Sequence, residues 1–200
     1  MILFLDTISP FPAFSIIKDN KIIQTIQILN EKSNKISDCI IPIFFKLQKK
    51  FQLNKKIEKL IVCTGPGSYT SLRVGIAFMY GLSFSKNIPL IGISSPDLFQ
   101  FMVPKSNIKK TLMFTCSSNN LNFIITFSNQ AVKCLIKQLD CNLSSLKIDY
   151  NKYIYSISNH KLSSDFAKTL NLNNHQVISF SEIIRLNMKK IVSLPTNDII

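Results

Sequence analysis

Apolar and polar positions divide this chain into a strongly patterned first half and a weakly patterned second half. Ile2–Thr7 is an apolar run closed by Asp6 and reads as a buried strand. Ala13–Ile17 and Ile22–Leu29 read as two further strands, joined by Lys18–Lys21, whose Asp19-Asn20 tolerates turn geometry. In the third strand Ile22, Gln24, Ile26 and Ile28 share one face and Ile23, Thr25, Gln27 and Leu29 the other, a mixture that predicts an edge position. The stripe Ile36, Ile40, Phe44, Leu47 and Phe51 predicts a helix from Ser37 to Phe51, with Pro42 kinking it or marking its true start. Leu60–Thr64 reads as a strand, 69–85 as a helix with Ser68 or Thr70 as cap, and Leu90–Ile93 as a strand. A short helix capped by Ser94 runs from Pro96 to Val103.

The resulting order, βββαβαβα, is the mixed-sheet α/β layout of ribonuclease-H-like and actin-like lobes. Pro104–Lys110 reads as a linker, so residues 1–104 form a first lobe and 105–200 a smaller, reduced second α/β lobe. There, Thr111–Cys116 and Asn122–Phe127 pattern as a strand pair, and Gln130–Leu139 as a helix. Lys152–Ile157 and Val177–Phe180 pattern as strands, and Ser163–Leu170 as a short helix. Ser181–Lys190 patterns as a helix capped by Ser181. No sequence repeat relates the halves, and a structural echo of the first lobe is all the pattern admits.

One stretch concentrates the unusual features. All five glycines, at 65, 67, 75, 81 and 92, lie within Leu60–Ile93. Between Arg73 and Lys86 the predicted helix carries no charge, whereas a surface helix normally has a polar face. It is too short to span a bilayer, which needs about 20 apolar residues. Burial on two sides is the remaining account: one side against the sheet, the other against the second half of the chain or against a partner. Ser71/Gly75 and Ala77/Gly81 stand four apart and would thin a face for close backbone approach. The first half of the Ser37–Phe51 helix, CIIPIFF, also has apolar surface to spare.

Composition narrows the class. The 200 residues carry a net charge of +13, but 22 of the 24 basic residues are lysines scattered along the chain. That weakens a nucleic-acid reading, because arginine is favoured for bidentate phosphate recognition. Five cysteines without a CxxC give no disulfide framework, and Cys39, Cys63 and Cys116 sit in apolar runs as core residues. The opening MILFLDTIS lacks a basic signal-peptide region, so a cytoplasmic setting is expected.

Catalytic constellations are scarce. Asp6 closes the first strand where actin-like phosphotransferases place a metal-orienting carboxylate. The turn that follows, Thr7–Pro12, has no glycine and two prolines, so it offers few N–H groups to a phosphate. GPGSYT precedes a helix and resembles a phosphate loop, which makes Gly65, Gly67, Ser68, Thr70 and Arg73 candidate anion or nucleotide contacts. It is neither a Walker A motif nor GxGxxG. Ser68 is not in GxSxG, the two histidines form no metal pair, and no paired carboxylates appear, so no catalytic or metal residue is assigned. The pattern fits a binding subunit; an ATP-dependent phosphotransferase using Asp6 and the GPGS turn is the alternative.

GPGSYTSLRVGIAFMYGLSFSKNIPLIGISS, together with the opening ILFLDT and Ile40-Ile41-Pro42, closely resembles the signature of the TsaB (YeaZ) family. The resemblance is specific over roughly residues 1–100. It implies an actin-like (ASKHA) fold and a non-catalytic subunit. Such a subunit stabilises a TsaD-type transferase that makes N6-threonylcarbamoyladenosine at position 37 of tRNA. It also implies docking through the first two helices, which assigns Ile40, Ile41, Phe44, Leu47, Ser71, Leu72, Gly75, Ile76, Met79 and Tyr80 to the partner interface. A TsaE-type ATPase joins the pair, ATP/ADP and metal belong to the partner subunits, tRNA is met through the complex, and the chain alone forms a homodimer in the absence of its partner. The chain departs from the family at Ile36, where a histidine is usual. It also departs at Thr115–Phe123, where the family's Asp, Arg and Glu are missing, and around Pro195.

Overall fold

The computed structural model describes residues 1–29, 35–117, 122–127, 134–139, 152–162 and 174–196. Strands β1 (Ile2–Asp6), β2 (Ala13–Lys18) and β3 (Lys21–Gln27) are antiparallel neighbours. The β2–β3 hairpin turns on Asp19 and Asn20, both at positive φ (50° and 59°), as a two-residue turn of matching twist requires. Helices α1 (Ile36–Phe51) and α2 (Leu53–Lys56) lead to β4 (Lys59–Cys63). Helix α3 (Tyr69–Lys86) leads to β5 (Leu90–Ile93). With β4 parallel to β1 and β5 parallel to β4, the first sheet reads β3-β2-β1-β4-β5. The edge position expected of β3 is observed, and its residues alternate exposed and half-buried.

Pro42 lies inside α1 without ending it. It costs one main-chain hydrogen bond early in the helix, while buried Phe44 and Leu47 anchor the turns that follow. Helix α4 (Ser95–Gln100) starts at the expected cap, where Ser94 Oγ accepts from Asp97 N–H at 3.3 Å.

A 3-10 turn (Ile108–Lys110) opens the second sheet. Its strands are β6 (Thr111–Cys116), β7 (Asn122–Phe127), β8 (Cys134–Leu139), β9 (Tyr155–Ser158) and β10 (His175–Val177). Their order, β10-β9-β6-β7-β8, repeats the first sheet: two antiparallel neighbours on one side of the founding strand and two parallel ones on the other. The structural echo is therefore complete at the level of strand topology. Several boundaries differ from the sequence pattern, among them β9, which starts at Tyr155 and not Lys152, and α4, which ends at Gln100 and not Val103. Cys134–Leu139 is a strand, not a helix, because six residues beside β7 gain a full antiparallel ladder. Strand β10 is His175–Val177 and shares only Val177 with the strand expected at 177–180, where Phe180 instead opens a helix. Helix α5 (Phe180–Leu186) is capped by Ser179, not Ser181, since Ser179 and Glu182 form the spacing of a capping box. Helix α6 (Met188–Val192) follows after Asn187. The helix expected at 163–170 lies outside the described residues.

Two apolar clusters occupy opposite faces of the first sheet. On one, Leu3, Leu5, Phe14, Ile16, Leu60 and Val62 meet α1 and α3. On the other, Phe4, Ile61, Cys63 and Ile93 meet α4, α5, α6 and the second sheet through Phe99, Phe180, Ile183, Met113 and Ile125. The layers run α1/α3, first sheet, α4/α5, second sheet. The second half thus covers the face of the first sheet remote from α1 and α3.

Candidate functional site

Helices α1 and α3 lie side by side because three phenylalanines interlock beneath them. Phe44 of α1 and Phe78 of α3 meet edge-on at 5.2 Å between ring centroids, and both pack on Phe14 of β2, at 6.1 and 5.7 Å. Gly75 brings α3 against the end of β1. A Cβ there would stand 2.5 Å from Thr7 Cγ2, a distance only glycine avoids.

The outer side of the same helices is apolar and open. Phe84 is 83% exposed, Tyr69 72%, Phe45 59% and Ile41 50%. Ala77, Tyr80 and Gly81 lie on the same outer side of α3, and among the described residues nothing stands within 4 Å of a Cβ placed on Gly81. The Arg73 guanidinium rests over the Tyr69 ring, 5.2 Å from its centroid. Among the described residues, the second half meets α3 at its start. There Leu72 joins the far cluster, and Ser117 Oγ accepts from Ser68 N–H at 3.2 Å.

This geometry corrects half of the expected interface. Ile40, Phe44, Leu47, Gly75 and Met79 are buried in the chain's own core, because the regular stripe of α1 faces the first sheet. Ser71, Leu72 and Ile76 are half-buried, and Ile41 and Tyr80 stand outside. Phe45 and Phe84, exposed apolar residues one helical face away, escaped the sequence reading, which named Ala77 there only through its pairing with Gly81. A helix apolar all round does not declare which stripe faces outward.

The expected anion set does not converge. Gly65 takes φ +117° before a cis Pro66, and Gly67 is pressed on Ile8, so both shape the turn that launches α3. Ser68 stands at the cap position without a side-chain cap bond, and its N–H is taken by Ser117. Thr70 and Arg73 are exposed on the helix beyond.

Asp6 is likewise committed. Its Oδ1 accepts from Ile8 N–H at 2.9 Å and Ser9 N–H at 3.0 Å, and its Oδ2 from Ser9 Oγ–H. Burial pushes the carboxyl up from its ordinary value, and the Ser9 and Ile8 hydrogen bonds oppose that rise. Ser9 Oγ in turn accepts from Asn159 Nδ2–H at 2.9 Å. Asn159 also spans the end of β6, donating to the Cys116 carbonyl (2.9 Å) and accepting from Cys116 N–H (2.7 Å). A second tie, between the buried Ser95 and Thr115 hydroxyls at 2.7 Å, joins the same ends. This clasp fastens the ends of the two sheets to each other. The sequence could not reveal Asn159, since its partners lie 43 and 150 residues away.

His175 bridges Ser156 Oγ (2.8 Å, Nδ1) and Ser158 Oγ (3.0 Å, Nε2), and its partial burial holds its pKa below the usual imidazole value. Ser158 Oγ–H donates to the His160 carbonyl at 2.5 Å, so its proton is spent on main chain. The thiols of Cys63 and Cys116 are pushed up by burial, Cys116 to about 11. Those two and Cys39 are buried free cysteines, as their apolar context predicted. Among the described residues no three His, Cys, Asp or Glu side chains gather as a metal set, and no helix is long and apolar enough to cross a membrane.

Residues 30–109, which hold both helices of the open face, match the family model described as TsaD, tRNA N6-adenosine threonylcarbamoyltransferase. The tRNA N6-adenosine threonylcarbamoyltransferase of Thermosipho melanesiensis is 33% identical over 105 residues, covering 50% of this chain and 32% of that enzyme. Among solved structures, YeaZ from Pseudomonas aeruginosa superposes over 98% of this chain and 96% of its own, with a TM-score of 0.59 at 9% identity. The crystal structure of a protein with similarity to peptidase YeaZ from Pseudomonas aeruginosa covers 94% of this chain and 92% of its own, with a TM-score of 0.58 at 10% identity. These likenesses show the fold: the chain is built on the fold of YeaZ. The chain spans about a third of the length of the curated relative that it matches. The family-model match covers the open helical face, whereas the likeness to YeaZ extends over both sheets.

Proposed function

We propose that this chain is a non-catalytic subunit that binds and stabilises a TsaD-type threonylcarbamoyltransferase. The product is N6-threonylcarbamoyladenosine at position 37 of tRNA. One observation carries the reading: α1 and α3 present Ile41, Phe45, Ala77, Tyr80 and Phe84 outward, while the chain's own second half packs on the opposite face of the sheet. A continuous exposed apolar surface of this kind marks an interaction site. The partner supplies the matching helices, and ATP and metal chemistry belong to it and to a TsaE-type ATPase. The commitment of both Asp6 oxygens to the Ile8 N–H and to Ser9 supports a binding role over a phosphotransferase that would need that carboxylate free. The setting is a reducing cytoplasm, where the buried cysteines stay as thiols.

Co-expression with a tagged TsaD-type subunit tests the reading. Wild-type chain co-purifies in equal amounts with the partner. Ala77→Glu, which puts a charge at the centre of the open face, abolishes recovery while leaving the melting temperature of the free chain within about 2 °C, as for other exposed substitutions. Recovery of the variant at wild-type yield would remove this face from the interface.

A further inference from the structure

The lysines are not evenly scattered once the chain is folded. From Cys39 to Ile57 the sequence holds Lys46, Lys49, Lys50, Lys55 and Lys56 and no carboxylate. All five lie on the C-terminal half of α1 or on α2 and all are exposed. Lys50 donates to Gln24 Oε1 at 3.2 Å and lies over the Phe51 ring. Among the described residues, no carboxylate stands within ion-pair distance of Lys46, Lys49, Lys55 or Lys56. A groove of about 570 Å³ opens between α1 and α2, lined by Phe45, Gln48, Lys49, Gln52, Asn54 and Lys55.

We propose that this groove and its lysine rim form a direct RNA-binding surface. The chemistry is complementary in three respects. Unpaired ammonium groups on the rim suit phosphates as point charges. The Phe45 ring, more than half exposed, offers a plane on which a base stacks. The amides of Gln48, Gln52 and Asn54 supply donors and acceptors for base edges and ribose hydroxyls. The groove volume is in the range that holds a small ligand such as one nucleotide. The groove sits at the C-terminal end of the same α1 face that carries Ile41 and shares Phe45 with it, so a partner that covers Phe45 and a base stacked on that ring exclude one another. The proposal rests on charge placement in this chain, and its test uses the chain without any partner.

Fluorescence anisotropy with a labelled, unmodified tRNA transcript, at 50 to 200 mM salt, measures it. Four phosphate contacts predict log Kobs falling against log salt with a slope of about −3 to −4. Lys49→Glu/Lys55→Glu weakens binding at least tenfold at 50 mM salt and makes the slope shallower by about two. Lys105→Glu/Lys109→Glu makes the same change in net charge on exposed residues outside α1 and α2, and alters affinity less than threefold. Should the first pair lower the melting temperature, Lys49→Gln/Lys55→Gln is read in the same way for half the effect. Equal losses for the two lysine pairs would overturn the proposal, as would a slope near zero. So would lysine-dependent binding to phosphatidylglycerol vesicles without binding to the transcript.

Discussion

Helix α3 carries two glycines six positions apart, and they do opposite things. Gly75 lies on the inner face, buried, with the Thr7 side chain where its Cβ would be. Gly81 lies on the outer face with nothing within 4 Å. The first lets the helix seat against the founding strand of the sheet. The second meets no contact among the described residues, and Ala77 and Phe84 beside it are exposed. The difference separates a residue that the fold needs from one that the fold leaves to something outside. The rest of the helix divides along the same line: Met79 inward and fully buried, Phe84 outward and 83% exposed.

Substitutions can break that comparison. Gly75→Ala has the largest effect: a methyl group 2.5 Å from Thr7 Cγ2 forces overpacking that costs about 1–3 kcal/mol. Urea unfolding measures it. Adding Thr7→Ala, which removes the opposing methyl and a hydroxyl buried without a hydrogen-bond partner, restores most of the loss. If the double variant were no more stable than Gly75→Ala alone, the close approach would not be the reason for the glycine. Gly81→Ala has the smaller effect and the opposite sign. With open space around it and a better helix former in place, the chain gains about 0.5–1 kcal/mol in the same unfolding experiment. A loss there would mean that Gly81 also serves the fold.

Much of this architecture was legible in the sequence, for physical reasons. The run of apolar strands, the Asp19-Asn20 turn and the Ile36–Phe51 stripe each obey one period, so the first sheet and α1 could be placed from pattern. Strand β8 could not, because Cys134–Leu139 alternates too weakly to separate a strand from a helix before its partner β7 is known. The site was legible as a location and not as a set of residues. An uncharged helix announces a second buried side, yet its even apolarity hides which side faces the sheet, and Met79 and Gly75 were placed at the partner for that reason. The Asp6–Ser9–Asn159 clasp was invisible, since hydrogen bonds across 150 residues leave no local trace.

The central claim is that the Gly81 side of α3 belongs to a partner. Titration calorimetry of Gly81→Arg against a TsaD-type transferase subunit tests it most directly. An arginine there meets open space in the free chain, so its unfolding midpoint should stay at or slightly above that of wild type. The account predicts that its affinity for the partner falls at least a hundredfold, the cost of a charge forced into an apolar contact. Wild-type affinity in a correctly folded Gly81→Arg chain would contradict it.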